Sequence, residues 1–429
     1  MTQDYIQESQ GKSKSPIPRF VKRILDKIPI QDHYDVIVFG AGFAGLTAAR
    51  DRIGGRTWTA QVHGEEIEMG GTWVHWNQPH LYAELHRYGL HRNLKTSAGT
   101  FAPHEQLFKS SGAAVEKVSS EKYGPALERV AQRVFAIDEL DSRALMPYPH
   151  DPLRAPSPWK RYDNLSVQDR KELFASNVST FGSAPAKETG FTEALRWFAL
   201  GGHSMAGVFE LAGNYKLGRG GMTSLARAIL SEYVGDISFG TIVAEMSHVL
   251  DGVEVRTQDG RRFGAGAVVS TIPLNCLGDV QFNPPLSPLR QTAFVFAFSD
   301  HNGTQPSESS GTWCIGFGYN GHLTQKTDSE YIVQRFKRDI KPDVTVEAYA
   351  THDWMNDPYA KGVWACWGPN SASVHLQELQ KPHGRILFAG ADWADGWRGF
   401  IDGAIERGQV AVRDTVQLLK ETSTVTAKL

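Results

Sequence analysis

The sequence predicts an α/β protein: a discontinuous, Rossmann-like dinucleotide-binding domain with an α+β domain interleaved between its segments. Three observations lead there. Residues 34–51, YDVIVFGAGFAGLTAARD, read as an apolar strand, a glycine turn and a helix. Strand signals return at 237–273 and at 385–389, the second followed by a closing helix from Gly403 to Leu419. Between these ends, residues 79–200 pattern mostly as helices with polar faces. Strand–helix alternation at both ends, with helices in the middle, marks a parallel sheet gathered from distant parts of the chain.

Each element has a local reason. Val36 to Phe39 is a short apolar run that meets Gly40, Gly42 and Gly45, a G-x-G-x-x-G placed where a strand gives way to a helix. Ile237 to Val243 (ISFGTIV) reads as one or two short strands. VEVRTQDGRRF at 253–263 reads as a hairpin, because Asp259-Gly260 is a strong two-residue turn between alternating strands. Val268 to Pro273 (VVSTIP) reads as a buried strand ending at a turn. The segment 65–76, EEIEMGGTWVHW, holds a glycine pair that brings backbone close to a ligand. The organisation is a flexible lead-in at 1–31, one domain from 32–78, 216–275 and 384–420, a second from 79–215 and 276–383, and a tail at 421–429.

Composition excludes several classes. A chain of 429 residues can bury a large core, and 41% hydrophobic with 21% charged residues fits an ordinary globular protein. A formal charge of −2 argues against nucleic acid or an anionic membrane as partner. No apolar run approaches the roughly 18 residues of a membrane span. The polar N-terminus is neither a secretory nor a transit peptide. Cys276, Cys314 and Cys366 are odd in number and widely spaced, which fits a reducing compartment, and no paired-His or C-x-x-C spacing suggests a metal. The last residues, Ala427-Lys428-Leu429, resemble the S-K-L address read by the peroxisomal import receptor; without that address the expectation is cytoplasmic.

The glycine turn carries the chemistry. Its glycines allow a tight turn and close approach of a pyrophosphate, whose charge sits on the helix N-terminus. Ala44 lies inside the turn, and Arg56 offers a planar fork suited to a diphosphate. The spacing is anomalous, however. Only six residues separate Gly45 from Arg52-Ile53-Gly54-Gly55-Arg56-Thr57, whereas a βαβ unit takes about 30 residues, with an acidic ribose ligand about 20 past the glycines. A helix from Ala44 to Asp51 covers about 12 Å, and residues 52–56 extended reach at most about 17 Å. Arg56 therefore just regains the phosphate rim, provided RIGGR takes the place of the missing strand. Glu65 and Glu66 have the ribose-ligand spacing but belong to the next segment and point elsewhere.

Taken together, RIGGRTW, EMGGTWVHW and FAGADWADGWRGFIDGAIERG resemble the flavin-containing amine oxidase family, and within it the monoamine oxidases, from about Asp32 to Leu419. The resemblance implies a discontinuous FAD domain joined to a substrate domain, and oxidation of a primary or secondary amine to an imine and then an aldehyde, with O2 reduced to hydrogen peroxide. Gly40, Gly42, Ala44, Gly45, Arg56, Gly70, Gly71 and Thr72 would line the FAD. Val243 would hold the adenine edge through its backbone, and Asp392 and Ile401 would lie along the ribityl chain and ring system. Five of eleven tryptophans, Trp354, Trp364, Trp367, Trp393 and Trp397, fall close together beside Phe400. Aromatic faces favour amine groups, and the resemblance places the cage at Trp364 and Phe400. Anchored on Pro369, the cysteine that links FAD in some monoamine oxidases would fall near Val363, so the flavin is expected to be non-covalent and Cys366 a small buried side chain. His75 either faces substrate or is structural.

Departures from the family pattern matter as much. The flavin-site lysine expected on a strand after STIPLN is missing, since Ala293 leads directly into FVFAFSD and no lysine stands between Lys216 and Lys326. A shorter gap falls near Leu173-Phe174. The competing expectation is a catalytically impaired remnant that lacks the second Rossmann strand and this lysine.

Overall fold

The computed structural model describes residues 33–45, 53–62, 64–96, 106–108, 116–118, 120–170, 185–284, 297–300, 313–316, 328–339 and 345–426. The strands of the central sheet are β1 (His33–Phe39), β2 (Val243–Val249), β3 (Gly252–Thr257), β4 (Arg262–Ser270), β5 (Gln281–Asn283) and β6 (Ile386–Phe388). They run in the order β1-β4-β3-β2-β5, with β6 also on β4. β1 and β6 pair parallel to β4, whose N-terminal half instead pairs antiparallel to β3. The sheet is thus gathered from three distant stretches of chain.

Both of its faces are covered, as a mixed sheet with a parallel core requires. On one face Phe39, Met246, Val253, Val255, Val268 and Phe388 form a buried cluster with Trp393. On the other, Ala267, Val269, Leu387 and Ala389 pack with Ala411 of the closing helix α5 (Ile401–Thr426). Before α5 come α1 (Pro79–Arg87), α2 (Phe191–Leu200), α3 (Met205–Gly213) and α4 (Gly221–Ser231). α5 fits tightly because Gly408 carries no side chain: a Cβ there would stand 2.8 Å from the Ala44 carbonyl oxygen. The second region is a helical core around Trp159, Phe135, Phe191 and Phe198. Among the described residues, no helix is long and apolar enough to cross a membrane.

Several expectations need correction. Residues 237–242 form no strand; extended pairing begins at Val243 and continues to Val249. The VVSTIP strand is the end of a longer one, β4, that starts at the Asp259-Gly260 turn, where Gly260 has φ +88°. α5 begins two residues before Gly403 and runs to Thr426, past the start of the expected tail. RIGGR does not become a strand. Gly54 and Gly55 have φ +106° and +61°, left-handed values that turn the chain rather than extend it. The helix after Gly45, the strand following Ala293, the Leu173-Phe174 junction, the 1–31 lead-in and the Ala427-Lys428-Leu429 terminus lie outside the described residues.

Candidate active site

Three parallel strands, β1, β4 and β6, end at one rim, and most of the expected site residues follow directly from those ends. After β1 comes Gly40, with φ +105°. A Cβ on it would lie 2.2 Å from Thr271 Oγ1, and one on Gly45 would lie 2.6 Å from the same atom. Thr271, just past β4, donates from Oγ1 to the Phe39 carbonyl at 2.6 Å, so the first and third glycines serve the turn itself. Gly42 differs: the nearest atom to its Cβ position is Gly55 Cα, at 3.9 Å. Ala44 is held from behind by α5.

Gly54 brings the second motif back to this rim. It bridges Gly42 in parallel, and its N–H donates to the Ala41 carbonyl at 2.7 Å. Arg56 is thereby delivered to the end of β6. Its Nη1 donates to the Val363 carbonyl at 2.7 Å and stands 2.8 Å from Asp392 Oδ1, an ion pair without hydrogen-bond alignment. Asp392 is buried and takes the Leu274 N–H on its other oxygen at 3.0 Å.

The glycine pair docks on the same spot. Gly71 N–H donates to the Arg56 carbonyl at 3.0 Å. A Cβ on Gly71 would lie 3.4 Å from Ile401 Cδ1, and one on Gly70 would strike the Arg56 carbonyl. Thr72 closes the turn by donating to the Gly70 carbonyl at 2.7 Å, while Trp354 donates from its indole to the Met69 carbonyl at 2.7 Å. The two aromatic positions join this group through their neighbours. Trp364 follows Val363, the acceptor for Arg56. Phe400 precedes Ile401, and Gly399 lets its strand of chain lie against Ala365 and Trp364 Cβ. Phe400 meets Trp397 edge-on, with ring centroids 5.0 Å apart. Val243 stands apart from the rim residues, buried at the start of β2 in the cluster that contains Phe39.

The model of flavin-containing amine oxidoreductases matches residues 46–296 and 289–416. The chain belongs to this family. Over 91% of its length and 88% of the relative's, it is 31% identical to pseudooxynicotine dehydrogenase from a Pseudomonas species. It is 27% identical to (S)-6-hydroxynicotine oxidase of Paenarthrobacter nicotinovorans over 88% of this chain and 98% of that one. Among solved structures, cyclohexylamine oxidase from Brevibacterium oxydans IH-35A matches with a TM-score of 0.67 at 18% identity, covering 91% of this chain and 99% of the other. The alignment with pseudooxynicotine dehydrogenase spans 456 residues, more than the whole 429-residue chain, so it contains gaps.

The family's cofactor is FAD, and most of the rim fits it. Glycine turns stand where backbone must approach a diphosphate, Gly42 has open space beside it, and Asp392 Oδ1 is a buried acceptor without an aligned donor. The cysteines fit a flavin held without a covalent bond. Cys366 is half-buried rather than fully buried, and burial raises its thiol well above the usual range. β1 has a sheet partner on one side only among the described residues. Glu66 Oε2 accepts from Gly220 N–H at 2.5 Å, and Glu68 Oε1 accepts from Met222 N–H at 2.7 Å. These two carboxylates serve the N-terminus of α4, in keeping with the expectation that Glu66 points away from the ribose.

Two features were not expected from the sequence. α2 is buried along its whole length, yet contains Glu193 and Arg196. Glu193 bonds Arg196 Nη2 at 2.5 Å and Arg398 Nη1 at 2.8 Å, and Arg398 lies over the Trp367 ring at 4.4 Å. Burial alone would raise the Glu193 carboxyl, but the two guanidiniums hold it below the usual range. Burial pulls Arg398 down to about 10. The signal was there: a charged i,i+3 pair within the apolar run FTEALRWFAL. Separately, His80, Asp402 and Glu406 bring ligand-type atoms within 4.8 Å of one another. Two of them already serve backbone. Asp402 takes the Leu81 N–H at the start of α1, and Glu406 takes those of Asp395 and Gly396. Burial pushes Asp402 up to about 6.

Proposed function

We propose that this chain oxidises a primary or secondary amine to an imine, which water hydrolyses to an aldehyde, with O2 as the acceptor and hydrogen peroxide as the by-product. One observation carries the reading: Trp364 and Phe400 stand next in chain to Val363 and Ile401, which touch Arg56 and Gly71 at the rim of β1, β4 and β6. The aromatic pair and the cofactor residues are therefore positioned by the same backbone.

FAD, when bound, supplies the two-electron chemistry by accepting hydride equivalents from the amine α-carbon. The chain's own residues do the rest. Gly42, Gly70, Gly71 and Thr72 would hold the cofactor through backbone, Gly40 and Gly45 would shape the turn around it, and Arg56 and Asp392 fix each other at the same rim. Trp364 and Phe400 would orient the amine between aromatic faces and keep water away from it. The names of the aligned relatives, pseudooxynicotine dehydrogenase and (S)-6-hydroxynicotine oxidase, support an aliphatic amine carried by an aromatic ring's substituent. They name both a dehydrogenase and an oxidase, so the acceptor needs its own test.

The experiment is to purify the full chain with added FAD, mix it anaerobically with aryl-alkyl amines and follow the flavin absorbance. Bleaching by an amine, then recovery with peroxide on admitting oxygen, is expected. Bleaching without recovery in oxygen would replace O2 with another acceptor. A chain that binds FAD but is bleached by no amine would overturn the reading.

A further inference from the structure

His75 lies on the segment that follows the Gly70-Gly71 turn, and its ring is almost out of water, with the residue 3% exposed. Its Nδ1 accepts the Asn77 backbone N–H at 3.0 Å. Burial pulls its pKa below the usual histidine value, so the ring is neutral at pH 7 and the one proton must sit on Nε2. That Nε2–H is buried and has no acceptor among the described residues. An unpaired buried donor is a liability of about 1–3 kcal/mol, and native structures rarely keep one without a use.

The surroundings show what kind of acceptor could enter. Trp76 packs on the ring at 3.9 Å and Tyr215 stands 5.9 Å away, with the Trp76 and Tyr215 rings 5.0 Å apart. Trp76 is 47% exposed, so this aromatic corner opens to solvent rather than into the core. It is tied to the cage as well: Trp397, which touches Phe400, donates from its indole to the Asn77 carbonyl at 3.1 Å. Resting on the amine-oxidoreductase reading above, we propose that His75 is a specificity residue whose Nε2–H binds an acceptor on the substrate remote from its amine, a nitrogen in an aromatic ring. Flat aromatic walls suit such a ring, and a neutral histidine adds no repulsion toward a cationic amine.

The test uses the full chain with FAD and two probes: N-methyl-phenylbutylamine and its 3-pyridyl counterpart, in which one ring CH becomes nitrogen. Dissociation constants come from quenching of tryptophan fluorescence, which needs no turnover. The wild type should bind the pyridyl amine about tenfold more tightly, since a site built around a donor rejects the analogue lacking the acceptor. His75→Phe keeps an aromatic ring but removes the donor, and should bring the ratio close to one. His75→Gln restores a donor and should recover part of the preference. Equal binding of both probes by the wild type, or an unchanged ratio in a folded His75→Phe, overturns the proposal. If neither amine bleaches the flavin while the ratio and its collapse persist, the oxidation reading fails and the role of His75 stands. Bleaching by both amines with no binding preference overturns the role of His75 and leaves the oxidation reading standing.

Discussion

The rim at the ends of β1, β4 and β6 and the side of β1 turned away from β4 differ in what the described residues show. At the rim three residues are cross-linked: Arg56 to Val363 and Asp392, Gly71 to Arg56, and Gly54 to Ala41 and Gly42. On its other side β1 has no paired strand among the described residues, and Glu66 and Glu68 are bonded to the start of α4. The rim holds the residues proposed above for a flavin and an amine, while Glu66, which has the spacing of a ribose ligand, is engaged with the start of α4. Substitutions that weaken one region and spare the other can break or sharpen this contrast.

The largest effect is expected at Glu193, in the buried helix α2. Glu193→Gln leaves Arg196 and Arg398 buried without their counter-charge, and removing one partner from a buried ion group costs about 3–5 kcal/mol. Chemical denaturation should show a loss of that size. Because Arg398 lies between Trp397 and Gly399 and against Trp367, FAD content should fall less than amine affinity. An unaltered unfolding midpoint would show that the triad holds nothing in place.

Next in size is a pH effect from Glu68, at the start of α4. Burial raises its carboxyl from 4.5 to about 7, so the folded chain binds this proton more tightly than the unfolded one. The stabilisation is complete below about pH 4.5 and is lost as pH rises through 7. Integrated over that window it amounts to about 3 kcal/mol. Glu68→Gln should flatten the decline in stability between pH 5 and 8, followed by denaturant midpoints at several pH values. A parallel, equally steep curve would locate the linkage in other groups, with Asp402, raised to about 6, the first to examine.

Arg56→Ala tests the rim directly. Asp392, buried at the end of β6, would lose its cationic partner, and the link from the GGR turn to Val363 would go with it. FAD affinity should fall about 100-fold, or roughly 3 kcal/mol, in a titration of apoprotein followed by flavin fluorescence. A change of less than threefold would mean that the Arg56–Asp392 pair is a structural clasp with no share in cofactor binding.

How much of the fold and site is legible in the sequence follows from what each signal depends on. The strand and glycine turn at Gly40 and Gly42 are local, so the sequence shows them, as it shows the Asp259-Gly260 hairpin and the strand at Ile386. The position of Gly54 against Gly42 is only half legible. Chain length shows that Arg56 can return to the rim, but not that two left-handed glycines do it by a turn in place of a strand. The Arg56–Asp392 pair spans most of the chain, and no spacing rule announces it. Glu193 is hidden for a different reason. In a buried helix, charged residues read as a solvated face until a distant segment, here Arg398, is known to lie against them.

The smallest expected effect is the most discriminating for the role of Glu66. Glu66 has the sequence spacing of a ribose ligand, yet its Oε2 accepts from Gly220 N–H and its Oε1 from Gln61 Nε2. If the carboxylate only caps α4, Glu66→Gln should cost about 1 kcal/mol of stability, the scale of a helix cap, and leave the FAD dissociation constant within twofold. A carboxylate that instead turned to the ribose would, on removal, weaken FAD severalfold while stability without FAD stayed the same. The two signatures are opposite in both measurements, so one variant titrated with and without FAD decides between them.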